Sequence, residues 1–441
     1  MKYNIRIYKK KDNIIFYLLG LVSTFQLLEV GGITVFTLIL LLIALKYLIQ
    51  KKKFPFISFW HCCFLFSLLV SMLGNFFITS NFIKNIQAWR ISSLKGVVII
   101  IAMYFTYDYL AKERMNIILI FFRGVYHSCV IQLVWCYFQY ILFKFENIDL
   151  NNLVFNKILH IWNYELGQVN YSGQYTITGM HSNAGILAPV LIFVILLADN
   201  IFLKFAALLI FFIAGNSTLF ICGIIFLLLI SVRLILHFCY DNKIKRKYLI
   251  LFLLILLFTS ITLLVYQNAL DRVMEIIKNL FIRLNSIRTK EWTDGSTFAH
   301  YRYYASIPYI FSQIGIIRIL IGFGYKCGGV PFVVFFNQYP DVIYNTESDP
   351  VSLLYGTGLI GLTIFYSLLY SIIKKGANVD YKYALWGILL TLAGIFYGMQ
   401  LNWVLFVEWI MIYCIKNNIK ADTLRGRKNV KYDVKHMCSY L

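Results

Sequence analysis

The stretch Asn345-Thr346-Glu347-Ser348-Asp349-Pro350 runs straight into Val351-Ser352-Leu353-Leu354-Tyr355-Gly356-Thr357-Gly358-Leu359-Ile360-Gly361, and no charged residue follows until Lys374. The 23 residues 351–373 would form a helix about 35 Å long, enough to cross the ~30 Å hydrocarbon layer of a bilayer. Pro350 suits the first helical turn, where its missing N–H costs nothing. Glu347 and Asp349 then sit near the helix N-terminus, where carboxylates are stabilised. Gly356, Gly358 and Gly361 would let another helix or a lipid chain approach closely.

The rest of the chain repeats this pattern. Its 441 residues are 60% hydrophobic and only 14% charged, with a mean hydropathy of +0.72. A soluble protein carries about a quarter charged residues and could not hide this apolar excess. The apolar runs are continuous over 17–25 residues in most cases, which excludes a disordered chain and a barrel of alternating strands. In lipid the backbone must satisfy itself, so the runs are helices. The expected fold is an all-α polytopic membrane protein of about twelve transmembrane helices. The spans lie near 13–29, 32–49, 57–79, 94–111, 116–142, 184–199, 202–214, 217–237, 248–266, 351–373, 383–398 and 400–415. They group as N-terminal helices (1–142), a first connection (143–183), central helices (184–266), a large connection (267–350), C-terminal helices (351–415) and a polar tail (416–441).

Charge orients these spans. Of 41 Lys and Arg residues, 27 fall on the side of the N-terminus, 13 on the other, and Arg123 lies inside the fifth span; with acidic residues included the two sides carry +19 and +3. Positive charge stays cytoplasmic, so both termini are expected inside, and the basic excess faces anionic lipid heads rather than nucleic acid. The first apolar run lacks a small-residue cleavage site and leads directly into a second, so no cleavable signal is expected. Of nine cysteines only Cys327 falls on the outer side. No disulfide can therefore close a long connection, and labelling of Cys327 would report its sidedness.

Cytoplasmic connections are short, whereas 143–183 and 267–350 both fall outside. A connection of 84 residues is uncommon unless it is functional or folds by itself. Its periodic pieces, Asp271 to Ile287 and Tyr303 to Leu320, read as amphipathic interfacial or re-entrant helices. Glu347 and Asp349 either cap span ten or supply a general base at the membrane surface. Arg302, which follows Phe298-Ala299-His300-Tyr301, either reaches phosphate heads or clamps an anionic substrate. Arg283 and Arg288 lie in a more ordinary amphipathic stretch, and Arg318 is expected to meet lipid heads. Arg123, with His127 four residues on, either reaches back to the cytoplasm or faces a cavity, with Glu408 and Glu29 as partners. His181, in His181-Ser182-Asn183, stands where the first long connection meets span six.

Three elements in order resemble the superfamily of O-antigen polymerases and ligases. These are Gly179-Met180-His181-Ser182-Asn183-Ala184-Gly185-Ile186-Leu187-Ala188 after the first long connection, Arg302 to Gly324 with its Gly-aromatic-Gly ending, and Glu347-Ser348, nine intervening residues, then Gly358-Leu359-Ile360-Gly361. Ligases have His where Glu347 stands, which favours a Gram-positive or capsular polymerase (Wzy-type). The polymerase spacing of fifteen residues between arginine and glycine is not met, because nineteen separate Arg302 from Gly322.

The resemblance implies a GT-C-like, metal-independent, inverting glycosyltransferase of the bacterial cytoplasmic membrane that needs no cofactor. It would polymerise undecaprenyl pyrophosphate-linked oligosaccharide repeats into a surface polysaccharide, with membrane lipids and a chain-length regulator as further partners. Glu347 would be the base, Asp349 its back-up, and Arg302 the cation holding the leaving diphosphate. Arg288, Arg123, His181, Asn183 and His300 would contribute to substrate binding. A ligase-type transferase and a polysaccharide-lipid flippase are the alternatives.

Overall fold

The computed structural model of this protein describes residues 13–30, 33–51, 59–76, 86–112, 115–161, 175–181, 184–198, 200–214, 219, 222–223, 225–227, 230–231, 302–336, 346, 348–377 and 381–396. Residues 13–21 are helical (α1), and a two-residue antiparallel hairpin follows, β1 (Glu29–Val30) with β2 (Ile33–Thr34). Then come α2 (Val35–Lys51), α3 (Phe59–Asn75), α4 (Ile86–Lys112), α5 (Met115–Glu146), α6 (Leu187–Leu197) and α7 (Ile201–Ile213). The last part holds α8 (Ile307–Gln313), α9 (Ile316–Ile321), α10 (Val330–Phe336), α11 (Asp349–Ala377) and α12 (Tyr381–Phe396). Apart from the hairpin and a β-bridge residue, Tyr175, the described regular structure is helical.

Helices within Ile86–Leu110, Ile120–Glu146 and Asp349–Ala377 are long and apolar enough to cross a membrane, and α2, α3, α6, α7 and α12 contain shorter apolar helices. Their faces are reversed relative to a water-soluble bundle. Leu38, Leu42, Leu45 and Ile49 form an exposed stripe on α2, as do Phe66, Leu69, Leu73 and Phe76 at α3, and Ile131, Val134, Phe138, Ile141 and Phe145 on α5. Steps of three and four residues keep each stripe on one helix face. Inside lie Ser67, Ser71, Asn75, Thr106, Asp108, Ser128, Gln132 and Gln139. Exposed apolar stripes around a partly polar interior are compatible with a helical membrane protein, because contiguous patches of this kind are rare on soluble monomers.

Small residues let the helices meet. Gly20 of α1 and Gly124 of α5 face each other so closely that a Cβ on either would overlap the other's backbone. α2 and α3 pack on α4, α3 packs against α11, and α11 packs against α12. α12 packs on α6, which also packs against α5 and α7.

The helices depart from the sequence expectation at several places. The fourth span begins at Ile86, eight residues before the expected 94, because apolar and small residues continue the helical pattern through the isolated charges Arg90 and Lys95. The first connection is partly helical: α5 continues to Glu146, and a π-helix, Asn152–Ile158, follows. Tyr303 to Leu320 is not one helix. Ile314 is extended at φ −109°, ψ 148°, and Gly315 separates α8 from α9. The proposed span 248–266, the piece Asp271 to Ile287, the last span and the tail lie outside the described residues.

Candidate functional site

The site is built on a break in α11. At Gly358 the backbone turns to φ +69°, ψ −175°. This frees the carbonyls of Tyr355 and Gly356, which in an unbroken helix would accept from Leu359 and Ile360. They accept instead from Phe323 N–H and Gly324 N–H, both at 2.8 Å. The Gly-aromatic-Gly element thus pairs with the glycine-rich turn of the long helix. Gly322 and Gly324 have φ +75° and +119°, values open to residues without a Cβ. A Cβ on Gly358 would overlap the Leu320 carbonyl, and one on Gly322 would come 2.5 Å from the Gly356 oxygen.

Arg318 fastens this junction to α3. Its guanidinium donates to the carbonyls of Gly74 (2.7 Å) and Gly322 (3.3 Å) and lies 5.3 Å from the Phe323 ring centroid. The expectation that Arg318 meets lipid heads is corrected: the last carbonyls of α3 need donors, and an arginine on α9 supplies them. Partial burial lowers its pKa. Cys327 is also held inward, with 0% exposure. Its thiol donates to the Trp89 carbonyl (3.5 Å) and receives a bond from the Asn75 amide (3.6 Å). Burial pushes that thiol up to about 12. A labelling reagent therefore has no ready path to Cys327, contrary to the sequence expectation, and an Ile317→Cys variant at a position 68% exposed is the better reporter.

The acidic junction lies at the start of α11, about two and a half turns before the break at Gly358. Asp349 opens α11 and is 7% exposed. Its carboxylate faces α12 so closely that a Cβ on Gly394 would stand 2.5 Å from Oδ2. Ser348 is buried beside it; its carbonyl accepts from Ser352 N–H (2.8 Å) and from the Thr346 hydroxyl (3.1 Å). Tyr304 closes the group, its hydroxyl 2.6 Å from Ser348 Oγ and donating to the Ile395 carbonyl at 3.2 Å. Burial raises the Tyr304 pKa, with the Asp349 charge adding to the rise and the Ser348 bond opposing it. Tyr325, in the loop after Gly324, is raised by burial and by the same carboxylate.

Arg302 belongs to this neighbourhood. It lies in the short helical segment 302–305 that also carries Tyr304, and its guanidinium is 5.9 Å from the Phe336 ring centroid at the end of α10. The structure therefore brings the Arg302 segment against the Ser348-Asp349 junction, with Tyr304 as the link. Glu347, Arg288, His300 and Asn183 lie outside the described residues. Arg123 lies on an exposed face of α5 and joins none of the groups above. Its proposed partner Glu29 stands in β1, where its charge acts on Lys326.

His181 has a different setting. The loop before it is threaded through a buried polar network. Gly179 N–H donates to Gln139 Oε1 (2.9 Å), Met180 N–H to Gln132 Oε1 (2.7 Å), and the Asn151 amide to the Gly179 carbonyl (2.8 Å). Gln132 also donates to the Thr24 carbonyl at 2.8 Å, tying the loop to the end of α1. His181 itself is 2% exposed, and neither ring nitrogen has a hydrogen-bond partner. No described contact joins it to Asp349. Burial lowers its pKa from 6.5 to about 3. The unfolded chain therefore binds a proton below pH 6.5 that the folded protein refuses until about pH 3. Stability is expected to fall across that window by up to about 1.4 kcal/mol per pH unit. Apparent melting temperatures of the purified protein between pH 7.5 and pH 4 measure this, and His181→Leu should flatten the dependence.

Sequence reasoning missed one cationic group. Lys326, half-buried at φ +62°, lies against Gly96 of α4, next to Lys95, with Glu29 of β1 in range. Its position directly after the Gly-aromatic-Gly element was the available signal. No protein-family model matches the chain, and no curated protein matches it.

Proposed function

We propose that this chain is a bacterial membrane glycosyltransferase with twelve spans and both termini in the cytoplasm. It extends a surface polysaccharide from undecaprenyl diphosphate-linked repeat units on the outer face of the membrane. The observation that supports it most is the junction at the start of α11. There the helical segment that carries the half-buried Arg302 meets the buried Ser348-Asp349 start of α11 through the 2.6 Å contact of Tyr304 with Ser348.

The chemistry asks for both charges. The acceptor hydroxyl attacks the anomeric carbon of the donor chain, and a carbon–oxygen bond forms there as the bond to the diphosphate oxygen breaks. The hydroxyl proton passes to Glu347, and the bonding electron pair leaves with the diphosphate. The leaving group is already good, so its developing negative charge needs fixed cations rather than further activation. Arg302 supplies one of them. The configuration at the attacked carbon inverts because attack and departure occur on opposite faces.

The test uses purified protein with lipid-linked repeat units, with and without chelator. A ladder of extended chains that forms in both cases is the expected result. In cells lacking the protein, single repeats should still reach the outside. Loss of that outward display would make the protein a transporter, and accumulation of long unattached chains would make it a ligase. Arg302→Gln should slow extension about 10²-fold, at the lower end of the range for removing a charge-stabilising donor.

A further inference from the structure

Arg123 is an exposed charge at the start of an apolar helix face. It lies three residues into the apolar stretch Ile120–Glu146 of α5, and neither α1 nor α5 before Glu146 contains an acidic residue. A cation at such a place is costly unless it reaches a phosphate or a partner. His127 follows one turn on, and Ile131, Val134 and Phe138 continue in steps of three and four. That spacing keeps all five on one face, and the three apolar members are exposed.

α1 completes the place. Gly20 and Gly124 bring the two backbones together, since a Cβ on Gly124 would overlap the Tyr17 carbonyl. Tyr17 thereby reaches α5. Its hydroxyl lies 2.9 Å from His127 Nδ1, with the rings edge to face at 5.9 Å. With the hydroxyl as donor, the ring proton is on Nε2, from which it points away from Tyr17. Thr24 N–H donates to Ser128 Oγ at 3.4 Å, four residues beyond the meeting of Gly20 with Gly124 on both chains. The two segments therefore run in the same direction, and Tyr17 and Arg123 lie toward the same membrane surface.

The order of groups along this face is that of a phospholipid. Arg123 comes first, with a planar fork of donors suited to phosphate. The His127 N–H stands ~6 Å deeper, toward the level of the ester carbonyls. The exposed stripe from Ile131 to Phe145 extends ~21 Å further, more than the ~15 Å depth of one hydrocarbon leaflet. We propose that Arg123, His127 and Tyr17 form a headgroup site for an anionic phospholipid at the α1–α5 seam. Arg123 binds the phosphate, His127 donates to an ester carbonyl, and Tyr17 orients the imidazole. A zwitterionic head carries its own cation, which competes with Arg123 for the phosphate, so a net negative lipid is preferred. The occupant also bears on the fold. Gln132, one turn beyond Ser128, joins α5 to the Thr24 carbonyl and to the loop before His181, so a lipid that steadies the seam steadies that loop.

Titration of phosphatidylglycerol into the detergent-solubilised full-length protein, read by native mass spectrometry, measures the first bound lipid. It should bind about tenfold more tightly than phosphatidylcholine, and Arg123→Met should abolish that difference by the loss of one charge-assisted contact. Arg123→Lys should keep most of the preference, and His127→Leu and Tyr17→Phe should each weaken binding about threefold. Lys144→Met, at the opposite end of α5, should leave it unchanged. Phosphatidylglycerol should also raise the melting temperature of the wild type and not that of Arg123→Met. Equal binding of the two lipids by the wild type overturns the site, and this comparison decides the matter even where a variant does not fold. An unchanged Kd in Arg123→Met protein that elutes like the wild type overturns it too. An equal loss from Lys144→Met does the same, because it reveals general charge attraction. Displacement of the lipid by glycerol phosphate at the same concentration shows that a free phosphate suffices and overturns the lipid assignment. None of these readouts involves chain growth, so their failure leaves the proposed reaction standing.

Discussion

Glu347→Gln lowers chain extension about 10²- to 10⁴-fold, the ordinary contribution of a general base, while the protein stays in the membrane at its usual level. The substitution keeps the volume of the side chain and removes only its ability to take the acceptor proton. Asp349→Asn has a different signature, because its carboxylate is 7% exposed and aimed at the Gly394 backbone of α12. A group enclosed in this way, at the first turn of a 29-residue helix, steadies the helix N-terminus and its contact with α12. Its replacement is expected to lower stability by about 1–2 kcal/mol and extension by less than the Glu347 change. Measuring both variants for turnover and for melting temperature separates the base from the brace. Full turnover in Glu347→Gln would remove the proposed chemistry.

Gly358→Val is the second large effect, and it acts on the fold. Position 358 has φ +69°, which costs a residue with a Cβ about 1–2 kcal/mol before any contact is considered. The new Cβ would also overlap the Leu320 carbonyl at the end of α9. Relief of that overlap must push α9 away from α11 and strain the two 2.8 Å bonds from Phe323 and Gly324. A loss of about 3–5 kcal/mol is expected, at the upper end for single substitutions. The check is a detergent melt of the variant beside Gly315→Ala. Gly315, before α9, has φ −70° and nothing within 4 Å of where its Cβ would stand. An unshifted melt for Gly358→Val would show that the break is not required.

The spacing of glycines in 356–361 announced close approach, and the structure shows what approaches: the Gly322-Phe323-Gly324 backbone, paired to carbonyls that the break had freed. Arg318 shows the opposite case. Its local sequence is that of an arginine on an amphipathic helix, and only the arrival of the α3 end, 244 positions away in sequence, makes it a clamp. Cys327 is similar: by sequence it is an outward thiol, and in the fold it is buried between α3 and α4.

Hydropathy and its periodicity by themselves determined that the chain is helical and apolar, where most of the described helices lie, and that Pro350 and Asp349 open a long one. Those properties depend on residues within one helix or on the solvent around it, so neighbouring residues suffice to encode them. The break at Gly358, the joining of the Arg302 segment to Ser348, the enclosure of His181 and the seating of Lys326 against Gly96 were decided only by the tertiary structure. Each depends on backbones distant in sequence approaching within a few ångströms, where a single Cβ or carbonyl determines whether they fit.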